Sequence, residues 1–171
     1  IDVNRETGEI SICNDGEGIV VRKHPKSGLY VPHMIFGTLL SSGNYNFDEE
    51  KITGGKNGYG AKLTNIFSKE FNIETVDHYR KRIFTQTFHN NMNDKDKASV
   101  RSSAKAPYTQ IKFLPDYEKF GLTDIDESHY KMIQKRVIDI AGCNPGIKVY
   151  FNGELISIKS FEDYVKFYKD S

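Results

Sequence analysis

The spacing of apolar and polar positions predicts strands along most of the chain. Alternation at residues 1–3 and 10–12, on either side of a polar glycine-bearing turn, predicts an opening hairpin. Three later stretches alternate with period two and are predicted strands: Phe71–Val76, Ile83–Phe88 and Thr109–Leu114. The polar segment His89–Ala106 between the last two is interpreted as a solvated surface loop.

Helical spacing predicts two helices in the first half of the chain. Pro32 suits the first position of one of them, because its missing N–H has no helical partner there. One face of this helix carries Val31, Met34, Ile35 and Leu39. Gly58 to Phe67 is the second predicted helix, with Leu63, Ile66 and Phe67 expected to face inward. Between them, Ser41 to Asn57 is rich in Gly, Asn and Ser and is interpreted as a long loop.

The last third of the chain is predicted to hold the longest helix, a strand and a short final helix. Apolar spacing from Tyr130 to Ala141 defines the long helix, and alternation from Ile147 to Phe151 defines the strand. Asn152-Gly153 is a turn signal, and Ser160 with Asp163 resembles a capping box for the last helix.

These elements predict an α+β fold. Strands follow one another through short turns and the helices come in separate blocks, which favours a two-layer sandwich with a mixed or antiparallel sheet covered by helices. We predict one domain over residues 1–158, and a terminal helix over 159–171 that leads toward a following domain.

Composition narrows the class of protein. Hydrophobic residues at 37% and charged residues at 27% of 171 are typical of a globular domain, and no stretch approaches the roughly 18 consecutive apolar residues of a membrane span. The net charge of +1 argues against a domain whose main task is to grip DNA. Cys13 and Cys143 lack the spacing of a zinc site and are expected to be buried or half-buried thiols.

Two glycine-rich segments carry the candidate chemistry. Residues 53–63 read Thr-Gly-Gly-Lys-Asn-Gly-Tyr-Gly-Ala-Lys-Leu, and glycines at the start of a helix let backbone N–H groups approach a phosphate. Lys56 and Lys62 add charged donors. The spacing does not match a P-loop, because Ala61 follows Gly60, and it does not match a dinucleotide fingerprint, because Leu63 replaces a third glycine. A glycine loop with no ligand remains an alternative.

The second segment is Asn14-Asp15-Gly16-Glu17-Gly18, at the end of a predicted strand. By itself it suits an ordinary turn. It also suits a base-binding loop, in which Asn14 contacts the edge of the ring and the two glycines leave room for it.

Together these motifs resemble the ATPase domain of eukaryotic DNA topoisomerase II, a member of the GHKL class. The resemblance rests on residues 14–19, 30–32, 35–37, 39–45 and 53–63, and it continues at 139–142 and 149–153. It implies ATP and Mg²⁺ as cofactors, DNA as the partner of the intact enzyme, a homodimer whose gate ATP closes, and a nuclear location. Another GHKL protein, such as a chaperone or a mismatch-repair ATPase, and a non-enzymatic interaction module remain alternatives.

The resemblance also implies a set of nucleotide-binding residues. They are Asn14, Gly16, Gly18, Ser42, Gly43, Asn44, Gly55, Lys56, Asn57, Gly58, Tyr59, Gly60, Ala61 and Lys62. Asn14 would lie at the adenine, 42–44 at the ribose and phosphates, and 55–62 around the triphosphate. Gly43 stands where the family commonly has a serine. The family's general base and magnesium ligand are expected upstream of residue 1, so no catalytic or metal residue is assigned and this chain alone is expected to be inactive.

Overall fold

The computed structural model describes residues 1–39 and 58–168. The chain forms two compact units, one made of residues 1–11 and 117–171 and the other of residues 12–116. The predicted long loop, Ser41 to Asn57, lies outside the described residues. The predicted domain boundary at residue 158 stays a prediction.

The larger unit is built on a sheet. Its strands are β2 (Ile10–Asn14, whose first two residues belong to the other unit), β3 (Ser68–Asp77), β4 (Arg82–His89), β5 (Asp94–Lys95), β6 (Ser99–Ser102) and β7 (Tyr108–Pro115). They lie in the order β2-β7-β3-β4-β5, and β6 also pairs with β4. The long central strand β3 is antiparallel to both of its neighbours, β4 and β7. The antiparallel α+β prediction is therefore confirmed.

One face of this sheet carries the core. Phe71 of β3 lies opposite Phe88 of β4 and Phe113 of β7, so all three rings share a face. Helix α1 (Val31–Gly37) packs there, with the Phe36 ring 6.0 Å from that of Phe71. Burial of these rings removes apolar surface from water, which is the main favourable term in folding.

The predicted helices α1 and α2 (Gly60–Ile66) are present, but the apolar face of α1 is partly exposed and the predicted inward face of α2 is partly wrong. Ile35, Leu39, Leu63 and Phe67 are exposed. The buried positions are instead Pro32, His33, Phe36, Lys62 and Asn65. The buried polar side chains of His33 and Asn65 have hydrogen-bond partners that are distant in sequence. The His33 ring contacts the Gln86 carboxamide at 2.8 Å, and Asn65 Nδ2 donates to the Phe36 carbonyl at 3.0 Å.

The interpretation of His89–Ala106 as a solvated loop is wrong in part. This segment contains β5 and β6, and both pair antiparallel with β4. Hydrogen bonds of the ladder hold such strands without a continuous apolar face, so polar residues such as Ser99 and Ser102 can form one.

The smaller unit begins with β1 (Asp2–Val3), which pairs antiparallel with Ile10 and Ser11 as predicted. A 3₁₀ turn (Tyr117–Phe120) precedes α3 (Glu127–Cys143), the predicted long helix. Strands β8 (Tyr150–Phe151) and β9 (Glu154–Leu155) form a hairpin at the Asn152-Gly153 turn.

Helix α4 (Phe161–Lys166) closes the smaller unit. The Ser160 hydroxyl accepts a hydrogen bond from the Asp163 N–H at 3.1 Å, which is the N-cap that the sequence predicts. A Cβ at Gly142 of α3 would lie 2.4 Å from the Tyr164 ring, so only glycine lets α4 approach α3 this closely.

Two expectations from composition have different outcomes. Cys13 and Cys143 are exposed, so their predicted burial is wrong, because both lie on surface-facing positions of their elements. Among residues 1–39 and 58–168, no helix has the length and apolar character to cross a membrane.

Candidate functional site

The first glycine loop leaves the sheet at the end of β2. Asn14 is the last residue of that strand and is exposed. Gly18 has a φ of 74°, and a Cβ on it would lie 2.0 Å from the Val76 carbonyl oxygen of β3. No other residue fits at position 18, because both the backbone conformation and the space require glycine. The loop is therefore held against the end of β3.

Two side chains of β3 fix the chain that follows this loop. The Thr75 hydroxyl accepts a hydrogen bond from the Ile19 N–H at 2.9 Å, and the Asp77 carboxylate accepts one from the Val21 N–H at 2.8 Å. Both side chains are buried, so these bonds are shielded from water. The position of the loop is thus set by β3.

Asp77 keeps its charge despite its burial. Desolvation by burial raises its pKa, but three hydrogen bonds lower the pKa by more than burial raises it. The donors are the Val21 N–H, the Arg80 N–H and the Arg80 guanidinium. The result is a pKa below the ordinary value of 3.8. At neutral pH the carboxylate is therefore ionised, and it holds both the segment at Val21 and the turn at Arg80.

Gly16 leaves space for the Asn14 side chain. A Cβ at position 16 would lie 2.9 Å from the Asn14 amide nitrogen, which is closer than real Cβ contacts. Any side chain at position 16 would push this amide aside. Gly16 therefore leaves room for the Asn14 carboxamide, which can both donate and accept hydrogen bonds.

The second glycine loop enters α2. Gly58 has a φ of 67°, which favours glycine, and Tyr59 is the N-cap residue of the helix. The Lys62 ammonium group donates a hydrogen bond to the Gly58 carbonyl at 2.7 Å. This side chain is only 1% exposed, and its burial lowers its pKa from 10.5. The ammonium group of Lys62 thus contacts the backbone of the loop at Gly58.

The backbone at the start of α2 is open to a ligand. A Cβ at Gly60 would meet no atom within 4 Å, and Tyr59, Gly60 and Ala61 are exposed. A group that approaches Gly60 therefore meets main chain rather than side chain. This arrangement suits an anion, because backbone N–H groups of a first helical turn point outward.

The first glycine loop contacts β3, and the helix that the second loop enters packs against the same strand. Strand β7 lies beside β2, at whose end Asn14 is found, and α2 packs against both β7 and β3. The other predicted binding residues lie outside the described residues: Ser42, Gly43, Asn44, Gly55, Lys56 and Asn57.

Thr75 and Asp77 were not predicted as site residues, although the sequence carries a signal for both. They continue the alternation that places Phe71 and Ile73 on the buried face of β3. Polar residues in two successive inward positions need partners, and here the partners are N–H groups of the first glycine loop.

Solved structures of other proteins share this fold. The ATPase region of topoisomerase II from Saccharomyces cerevisiae superimposes with a TM-score of 0.96 at 42% identity, covering 99% of this chain and 45% of that one. The ATPase and transducer domains of DNA topoisomerase II from Balamuthia mandrillaris give 0.94 at 41% identity, covering 99% and 44%. The fold is therefore that of a type II topoisomerase ATPase region.

Sequence comparison agrees with the fold. A probable DNA topoisomerase 2 from Dictyostelium discoideum is 45% identical over 167 residues, which are 97% of this chain and 11% of that protein. No family model matches the chain. The chain belongs to the eukaryotic-type DNA topoisomerase 2 family and corresponds to part of its ATPase region. It spans about a tenth of the length of its curated relatives and under half of the solved ATPase regions.

Proposed function

We propose that this chain is the ATP-binding part of a type II DNA topoisomerase. The whole protein would use ATP binding and hydrolysis to close a gate between two subunits and pass one DNA duplex through another, in the nucleus. The family supports this proposal, and the carrying observation is that the first glycine loop is held on β3 while α2, which the second loop enters, packs against β3 and β7. The interaction-module alternative has no comparable support.

The Asn14 loop would hold the adenine. The carboxamide of Asn14 can donate and accept hydrogen bonds, which suits the donor and acceptor edge of a purine. Gly16 leaves room for that amide, and Gly18 holds the loop on β3, so the backbone of the loop is positioned before a ligand arrives. Positioning in advance reduces the entropy lost on binding.

The loop from Gly55 to Lys62 would hold the triphosphate. Its described part presents the exposed residues Tyr59, Gly60 and Ala61, and the buried Lys62 ammonium group is bonded to the Gly58 carbonyl. Backbone donors and a nearby cation both favour phosphate oxygens. We include Gly55, Lys56 and Asn57, together with Ser42, Gly43 and Asn44, in this proposed site on the strength of the resemblance.

Mg²⁺ would accompany the nucleotide by neutralising phosphate charge. The described residues contain no group of three or more His, Cys, Asp or Glu side chains that could hold a metal ion. Neither a metal ligand nor a general base is assigned among these residues.

Affinity measurements on variants test the two halves of the site separately. We expect Asn14→Ala to weaken binding of a non-hydrolysable ATP analogue and to reduce its preference over the GTP analogue, because the purine contact is lost. We expect Lys62→Gln to weaken both analogues about equally, because the phosphates are common to them. Calorimetric titration gives each dissociation constant.

Lys95→Gln is a matched control, because Lys95 is exposed and pairs with Phe88, on the far strand β5 of the sheet. It should leave both affinities unchanged. Circular dichroism confirms that each variant is folded. Equal losses for the two purines with Asn14→Ala would contradict the proposed adenine contact.

A further inference from the structure

A second candidate site lies at the turn between β3 and β4. A pocket of about 530 Å³ is lined by three basic residues and two hydroxyl groups. Its lining residues are Arg80, Lys81, Arg82, Ser102, Ser103 and Ala104, which we call the basic pocket. Arg80 bonds Asp77 and Arg82 donates to the Val21 carbonyl, but none of the lining side chains is assigned a contact with the nucleotide.

The sheet itself builds the basic pocket. Arg82 pairs with Ser102 across β4 and β6, so their side chains share a face. The Ser103 N–H donates to the Lys81 carbonyl at 2.9 Å, which continues the pairing past the end of β6. The pocket thus has a backbone fixed by hydrogen bonds.

Positive charge is concentrated there. The whole chain carries only +1, with 24 basic and 23 acidic residues. Yet the stretches 78–82 and 97–105 hold three Lys or Arg each and no Asp or Glu. Asp77, just before the first stretch, is buried and ion-pairs with Arg80 at 3.2 Å. The turn therefore keeps an excess of positive charge on a nearly neutral chain.

We propose that the basic pocket binds the phosphodiester backbone of duplex DNA. Guanidinium, ammonium and hydroxyl groups are the side-chain donors that contact phosphate oxygens in protein–DNA interfaces. A fourth cation, Lys105, follows the lining residue Ala104 in the sequence. Several cations at one turn match a polyanion better than a single small anion.

The choice of duplex rather than single strand has two grounds. Single-stranded nucleic acid is typically held by several stacked aromatic rings, whereas this turn offers one strongly exposed ring, Tyr79, at 77% exposure. The second ground rests on the proposed function, in which duplex DNA is the substrate of the whole protein.

Salt dependence of DNA binding tests the proposal. Lys81 has a φ of 49°, a conformation that Asn tolerates, so Lys81→Asn removes the charge with little backbone strain. Fluorescence anisotropy with a labelled duplex of random sequence measures the dissociation constant from 0.05 to 0.2 M salt. Loss of one phosphate contact should lower the slope of log K against log salt by about 0.9, which weakens binding about eightfold at 0.1 M.

Lys95→Asn makes the same charge change elsewhere on the sheet and is the control. It should leave the slope within error, whereas Lys105→Gln, a second variant beside the pocket, should lower it as Lys81→Asn does. Equal slopes for wild type, Lys81→Asn and Lys105→Gln would overturn the proposal, and so would the absence of duplex binding by the wild type.

Two further binding measurements identify the class of ligand. A single strand of the same length should bind more weakly and depend less on Lys81, and a greater loss for the single strand would overturn the choice of duplex. Pyrophosphate at constant ionic strength should not displace the duplex, and full displacement would indicate a small-anion site instead. Binding of the ATP analogue should be unchanged in Lys81→Asn, so failure here is distinguishable from failure of the nucleotide site.

Discussion

Substitution of Gly18 by alanine tests how the first glycine loop is held on the sheet. The new Cβ would lie 2.0 Å from the Val76 carbonyl oxygen, a backbone atom that cannot move aside without disturbing β3. The loop must therefore shift, and the bonds that Ile19 and Val21 donate to Thr75 and Asp77 are the ones at risk.

The magnitude follows from three contributions. A non-glycine residue at the φ of 74° found at Gly18 costs about 1–2 kcal/mol. Loss of the Ile19 hydrogen bond costs about 1 kcal/mol, and loss of the Val21 donor from the buried Asp77 carboxylate costs about 1–3 kcal/mol. We expect Gly18→Ala to lower the free energy of unfolding by about 3–6 kcal/mol, which is a large part of the stability of a domain.

Gly28 provides the control. Its φ is 69°, close to that of Gly18, but a Cβ there would meet no atom within 4 Å. Gly28→Ala should therefore cost only the conformational part, about 1–2 kcal/mol. Urea unfolding followed by circular dichroism measures both variants. Equal losses of stability would refute the argument that contact with β3, rather than backbone conformation alone, demands glycine at position 18.

Two further substitutions test other contacts. Asp77 has a lowered pKa when folded, so its charge stabilises the protein above the unfolded pKa near 3.8, and this contribution is lost as the pH falls through the folded pKa. Asp77→Asn should lower stability by about 2–3 kcal/mol at pH 7, and urea unfolding should show a weaker pH dependence below pH 4. Gly142→Ala should cost about 1–3 kcal/mol because its Cβ would overlap the Tyr164 ring, and hydrogen exchange should be faster in α4.

The sequence predicted the elements well because their patterns are local. Each long strand and helix alternates or repeats over enough residues to define its type, and β3, β4, β7 and α3 are all present where the pattern places them. The Asn152-Gly153 turn and the Ser160 cap are likewise set by neighbouring residues.

The buried polar positions could not be predicted in this way. Apolarity alone favoured Leu63 as an inward residue, whereas Lys62 and Asn65 are buried instead. The Asn65 amide reaches the Phe36 carbonyl, 29 residues away in sequence. Such partners become known only when the chain is folded, and they decide which face of a short helix is buried.

The candidate site, too, could be predicted from the sequence only in part. The glycine motifs and Asn14 can be recognised from sequence because spacing and residue type carry the signal. The alternation of β3 could have indicated that Thr75 and Asp77 are buried, but their partners in the segment after the first glycine loop are tertiary and appear only in the structure.

A titration with a non-hydrolysable ATP analogue, followed by NMR, tests most directly whether the two glycine loops form one nucleotide site. We predict that the Asn14 side-chain amide and the backbone amides of Gly58 to Lys62 shift together, with a single dissociation constant. Shifts confined to one of the two loops, or two sets of shifts with different dissociation constants, would contradict it.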